Sequence, residues 1–346
     1  MDIDGTQFAS LAGLAGGIVL GLAARLGRFC MMATVEDAVY GSDSDGVRVL
    51  SLGAAVAIAA TALLVVAGGF DPQATVYLRE GWSPAATVIG GLMFGYGMAQ
   101  VGTCGYGALS RVGGGDLRAL VMVAVIGIAG FAAAYGPLAP LTALLRAPVL
   151  TTAPLPTLPE MAGGALGLSP AVIALALAGA LATAALARRR PPARRMAWAA
   201  AVGLAIAGAW AATTAAGRVG FDAVAVQGFS FVAPLGQTLS AGMTGGLGTP
   251  PGFGVASVLG VIAGAAIAAR IRDDVRWEAC DDARELGRQM MGAAMMGVGG
   301  VLAVGCTVGQ GLSALSVLAV SAPVTVAAIA AGARIGLYQL VERPAA

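Results

Sequence analysis

The chain has 346 residues, of which 58% are apolar and 11% charged, where a soluble domain carries roughly a quarter charged. With a mean hydropathy of +0.84, this excludes a soluble globular protein and identifies an integral membrane protein. All 20 basic residues are Arg and there is no His, which removes a Walker A lysine, a His-based metal site, a proton relay and a catalytic triad.

The 53 glycines and the alanine runs fit closely packed helices rather than the alternating strands of a β-barrel. Residues 1–7 are acidic and lack a basic n-region, so the apolar run at 8–26 is expected to be a mature span rather than a signal peptide. It leads into Arg28 and Cys30, then into a short amphipathic piece over 31–39 carrying Glu36 and Asp37. Further spans are predicted over 47–69, 84–101, 117–135, 170–187, 196–216, 252–269, 289–304 and 317–340. Between them lie a turn-rich loop at 70–83, a Pro-rich connection at 136–169, a glycine-broken stretch at 217–249 and a charged loop at 270–288. Segments 105–111 and 307–315 are too short to cross and read as re-entrant pieces. The expectation is an all-α integral membrane protein with about nine transmembrane helices plus short re-entrant helices. It divides into a half over 1–187, an Arg-rich cytoplasmic linker over 188–195 and a second half over 196–346.

Charge sets the orientation. The linker carries an Arg cluster, and Arg270, Arg272, Arg276, Arg284 and Arg288 fall on the same side, as do Arg334 and Arg343. The positive-inside rule makes that side cytoplasmic, with the N-terminus outside and the C-terminus inside. The Pro-rich connection, with Arg146 as its only basic residue, then lies outside.

One pattern recurs. Met93-Phe94-Gly95-Tyr96-Gly97, Cys104 and Gly107 return 202 residues later as Met295-Met296-Gly297-Val298-Gly299, Cys306 and Gly309. The shared form is M-[FM]-G-x-G-x6-C-x-x-G. The predicted topology brings the two cysteine segments in from opposite sides. This makes two inverted, pseudo-symmetric halves, with the thiols approaching each other near the midplane. Around each thiol, Thr103, Gly105 and Gly107, and Gly305, Thr307 and Gly309, let the helix break and restart. Broken backbone inside a membrane lines a cavity or is buried in protein, and a helix that starts there aims its free N–H groups at an anion. Arg28, Arg111, Arg118 and Arg218 flank the spans and form candidate anion vestibules.

A thiol in an apolar site keeps its proton and is a weak donor, suited to a large, polarisable partner. An anion with both oxygens and a terminal sulfur matches backbone N–H groups and thiols together. Cys280 stands alone in a charged loop and is read as structural. The pairs Met31-Met32, Met290-Met291 and Met295-Met296 are read as core, and Glu36, Asp37 and Asp116 as solvated helix ends. No charge falls at the middle of a span, Arg334 coming nearest, which favours a facilitator over a proton-coupled pump. No catalytic residue, cofactor or resident metal is expected, and no nucleic acid.

At these residues the chain resembles the YeeE/YedE family of bacterial membrane proteins, which includes thiosulfate uptake proteins. The carriers are Gly27-Arg28-Phe29-Cys30, the Cys104 and Cys306 motifs, and Phe231-Val232-Ala233-Pro234-Leu235-Gly236. The resemblance implies an hourglass-like all-helical fold in the bacterial inner membrane. It also implies Cys104 as the central site of a thiosulfate path, with Cys30 and Cys306 on either side. A cytoplasmic TusA-like sulfur-carrier protein is the implied partner. Two alternatives stay open: a transporter of a selenium compound or another sulfur oxyanion, and a membrane protein that relays sulfur as a persulfide.

Overall fold

The computed structural model describes residues 4–41, 45–79, 81–147, 155–187, 190–219, 224–244, 251–279 and 282–342, and among these it is helical with no strand. In chain order the helices are α1 (Gly5–Leu26), α2 (Met31–Tyr40), α3 (Asp45–Val66), α4 (Val76–Arg79), α5 (Pro84–Val101), α6 (Gly105–Val112), α7 (Leu117–Ala134), α8 (Ala139–Arg146), α9 (Leu158–Leu166), α10 (Pro170–Leu186), α11 (Ala193–Val219), α12 (Ala233–Thr244), α13 (Phe253–Ile271), α14 (Ala283–Leu302) and α15 (Ser321–Val341). A π-helical turn, Gly309–Ala314, precedes α15.

Each predicted apolar segment falls in one of these helices, and among the described residues six candidate spans are long and apolar enough to cross a membrane. The boundaries move where local chemistry dictates. Helix α14 starts at Ala283 rather than 289, because Asp282 caps it by accepting from Arg284 N–H and the charged face continues the helix. Helix α15 starts at Ser321 rather than 317, because Leu318 takes a left-handed φ of 53° and turns the chain. The Pro-rich connection is not structureless. Thr157 and Glu160 form a reciprocal capping box that starts α9.

The packing follows the glycines. Helix α5 lies against α14 and α15, and α14 lies against α5 and α7. A Cβ on Gly97 would run into the Gly292 carbonyl, and one on Gly299 would stand 2.7 Å from the Gly90 carbonyl, so these two helices meet backbone to backbone. The other motif glycines face outward: Gly95 touches Ile329 of α15, and Gly297 touches Ile126 of α7. Around this pair, α1 packs on α13 and α11, α3 on α11, α12 on α7 and α13, and α2 on α3 and α15. Helix α6 touches α1, α7 and α13, while the π turn touches α11, α15 and α3. Exchanging α1, α2, α3, α5, α6 and α7 with α11, α12, α13, α14, the π turn and α15 maps the α5–α14 and α1–α11 packings onto themselves and each of the others onto another of them.

The loops gather at two ends. At one, Arg25 meets Asp274, Arg272 donates to the Arg25 carbonyl, and Arg118 pairs with Glu278 at 2.7 Å. At the other, Arg218 donates to the Gly68 carbonyl, Leu155 N–H to Leu78 and Leu158 N–H to Leu318. Between the ends the outer surface presents Leu63, Val66 and Ile128 to its surroundings, as lipid-facing helices do.

Candidate thiol site

Three breaks build the site, and they share one local design. Arg28, Gly102 and Val304 each adopt a left-handed φ, at 52°, 75° and 54°. Two residues after each of them stands a cysteine: Cys30, Cys104 and Cys306. The left-handed residue ends the preceding run, and the cysteine then opens the next helix. Thr34 N–H returns to the Cys30 carbonyl at 3.2 Å, Ala108 to Cys104 at 2.8 Å and Gln310 to Cys306 at 2.8 Å. Each thiol is therefore at a helix N-cap, beside backbone N–H groups that no intrahelical carbonyl satisfies. Glycine makes the turn free of strain at Gly102. At Val304 a β-branched residue holds it, followed by Gly305 at φ 153°, a conformation that needs glycine.

The breaks converge. A cavity of about 30 Å³ is lined by Phe29 and Met31 from the first, Cys104 and Tyr106 from the second, and Thr307 and Val308 from the third. That is the space of about one water. Cys104 and Thr307 are almost fully buried, and the Thr307 hydroxyl has no hydrogen-bond partner. Cys30, half-buried, does not itself line this cavity, although its neighbours Phe29 and Met31 do.

Cys306 is held differently. Its sulfur accepts from Phe231 N–H and Gly309 N–H, each at 3.4 Å, and lies 4.0 Å from Ser230 Oγ. Thr103 is buried, with its hydroxyl turned to the Cys104 carbonyl at 3.5 Å. A side chain at Gly107 would collide with that hydroxyl and come within 3.9 Å of the Cys104 sulfur. At Gly105 a Cβ would meet nothing nearer than 3.9 Å, so crowding is not what glycine relieves there.

The predicted vestibule arginines separate. Arg111 lines a cavity of about 260 Å³ with Gly102, Thr103, Asp116, Arg118 and Glu285, leading toward the Cys104 break. Arg28 is exposed beside the first break. Arg218 lies at the opposite end, on the Gly68 carbonyl. Cys280 and Arg343 lie outside the described residues. Sequence reasoning missed Tyr106, whose hydroxyl donates to the Leu20 carbonyl and whose ring stacks on Phe231 at 5.6 Å, tying α6 to α1 and to the start of α12. Its place inside the Cys104 motif was the available signal. Tyr77 and Ser230 were also missed, because they belong to no cysteine motif and come near Cys306 only through folding, and Gln310 was missed although it directly follows the motif's Gly309.

Several apolar helices long enough to cross a membrane define a multi-pass membrane protein. Comparison makes the class specific. The family model for sulphur transport matches residues 26–335, and the chain belongs to that family, as its cysteine motifs implied. It is a sulfur-compound transporter. No curated protein matches it.

Proposed function

We propose that the protein takes up thiosulfate, or a closely similar sulfur-containing anion, through a narrow path past Cys30, Cys104 and Cys306. The observation that carries this reading is the convergence of three helix starts on the cavity at Cys104, where the Thr307 hydroxyl is buried without a partner. Helix N-termini favour an anion. Thiols favour a soft terminal sulfur, and an unpartnered hydroxyl favours an oxygen. Gly105, Gly107, Gly305 and Gly309 shape the backbone of this path, and Thr103 and Thr307 contribute its hydroxyls. Arg28 and Arg111 draw anions to one mouth and Arg218 to the other.

On this reading the fold is two inverted halves, 1–187 and 196–346, joined by the linker at 188–195. Support comes from the reciprocal packing of corresponding helices. About nine helices cross a bacterial inner membrane, with the N-terminus outside and the C-terminus inside. Support comes from the gathering of the Arg-rich loops at one end. A cytoplasmic TusA-like carrier would receive the sulfur compound there. A persulfide relay fits less well, because such chemistry needs an exposed thiolate and Cys104 is fully buried. A selenium compound or another sulfur oxyanion is the remaining rival cargo.

The test is growth on thiosulfate as sole sulfur source, in cells stripped of their own sulfate and thiosulfate uptake. Growth with the intact protein and with Cys280→Ala, and none with Cys104→Ala at matched expression, is the expected outcome. No growth with the intact protein would reject thiosulfate as the cargo.

A further inference from the structure

Ser230 belongs to none of the cysteine motifs, yet it occupies a counterpart position. Phe29-Cys30-Met31-Met32-Ala33 recurs 200 residues later as Phe229-Ser230-Phe231-Val232-Ala233, with the phenylalanine and the alanine at the same places. The helices that follow, α2 and α12, exchange under the packing correspondence described above. Ser230 therefore stands beside Cys306 where the first half has Cys30 beside Cys104.

Its surroundings are built. The segment is held by Ser313, which donates to the Phe229 carbonyl at 2.8 Å, and by Thr213, which accepts from Gln227 N–H at 3.2 Å. Among the described residues Ser230 Oγ reaches the Cys306 sulfur, at 4.0 Å, and the next N–H, of Phe231, points at the same sulfur. A Cβ on Gly309 would stand 2.9 Å from Ser230 Oγ and 3.3 Å from the Tyr77 hydroxyl, so the two hydroxyls border the space that this glycine leaves. Tyr77 also lines a cavity of about 20 Å³ with Gln310. The Gln310 amide nitrogen donates to the Ala303 and Val304 carbonyls, while its oxygen is buried without a partner.

We infer that Ser230, with Tyr77, forms an oxygen-recognising subsite at the Cys306 end of the path. The two ends then differ in chemistry. Hydroxyl donors form short, strong bonds to oxyanion oxygens, whereas the thiols of Cys30 and Cys104 suit a terminal sulfur. A sulfur oxyanion is held by its oxygens at one end and passes into a sulfur-lined segment at the other. Gly309 is glycine because any side chain would fill the space between the two hydroxyls. This inference rests on the transport reading above and adds where the oxygens are recognised.

The experiment is uptake of radiolabelled thiosulfate by purified protein in liposomes, with Ser230→Ala and the near-isosteric Ser230→Cys, each checked for thermal stability. Ser230→Ala is expected to raise the half-saturating thiosulfate concentration about tenfold, the scale of one lost hydrogen bond to a charged group, at unchanged stability. Ser230→Cys, a weaker donor, is expected to fall between the two. Should Ser230→Ala fail to fold, a raised half-saturation with Ser230→Cys supports the subsite in its place. Transport by the intact protein, with half-saturation unchanged in the folded variants, overturns this inference alone. No thiosulfate transport by the intact protein overturns the functional reading, and this inference with it.

Discussion

The Cys104 and Cys306 breaks share a sequence pattern and a backbone design but present their thiols differently. At Cys306 the sulfur is an acceptor, clothed by two backbone N–H groups. At Cys104 the equivalent Gly107 N–H also lies near the sulfur, but the thiol lines an apolar cavity beside the buried Thr307 hydroxyl. The flanking residues explain the difference. The order is Thr103-Cys104-Gly105 in the first copy and Gly305-Cys306-Thr307 in the second, so the threonine changes sides. Thr103 turns its hydroxyl back to the chain, whereas Thr307, standing where the first copy has Gly105, extends toward the other copy's thiol. The two breaks share a backbone frame, and differences at single positions set how each thiol is presented.

The comparison depends first on the helices that carry the breaks. Gly97→Val should prevent their close approach, because its side chain meets the Gly292 backbone, which cannot give way. Little assembled protein is expected on size-exclusion chromatography in detergent, whereas Gly179→Ala, with open space around its Cβ, should behave as the intact protein does. A well-assembled Gly97→Val would break the account of the paired motif helices.

The Thr307 hydroxyl offers a finer test. It lies beside the Cys104 thiol without a well-formed hydrogen bond, so Thr307→Val should change stability by no more than about 1 kcal/mol. Uptake should nonetheless fall about tenfold, on the scale of one hydrogen bond to an anion. Lost stability with intact uptake would reverse the assignment.

The smallest effect concerns the left-handed residue before each thiol. Val304→Gly makes the second break resemble the first and should raise stability by about 1 kcal/mol, part of the left-handed penalty being offset by glycine's entropy. Gly102→Val should lower stability by a similar amount. Thermal unfolding in detergent measures both.

Much of this is legible in the sequence because apolar length and glycine spacing are local signals. The segments at 84–101 and 289–304 follow from their motif, and the structure places both in helices that touch at the motif glycines. The N-cap role of the thiols follows in outline from the glycines around them. The left-handed turn at Val304 does not, because a β-branched residue signals the opposite conformation. The start of α14 is misplaced because its charged residues read as loop, although an Asp282 cap lets a helix run through them. Ser230 and Tyr77 escape for a different reason. They approach Cys306 only when segments about 76 and 230 residues away in the chain are folded together, and no spacing rule reaches that far.

The central claim is that the transported anion meets the Cys104 thiol. Uptake of radiolabelled thiosulfate into liposomes by the purified protein, compared with Cys104→Ala reconstituted at equal amount and equal thermal stability, tests it most directly. The account predicts at least a tenfold fall, about the value of one interaction with a charged ligand. Equal uptake by the two proteins would contradict it.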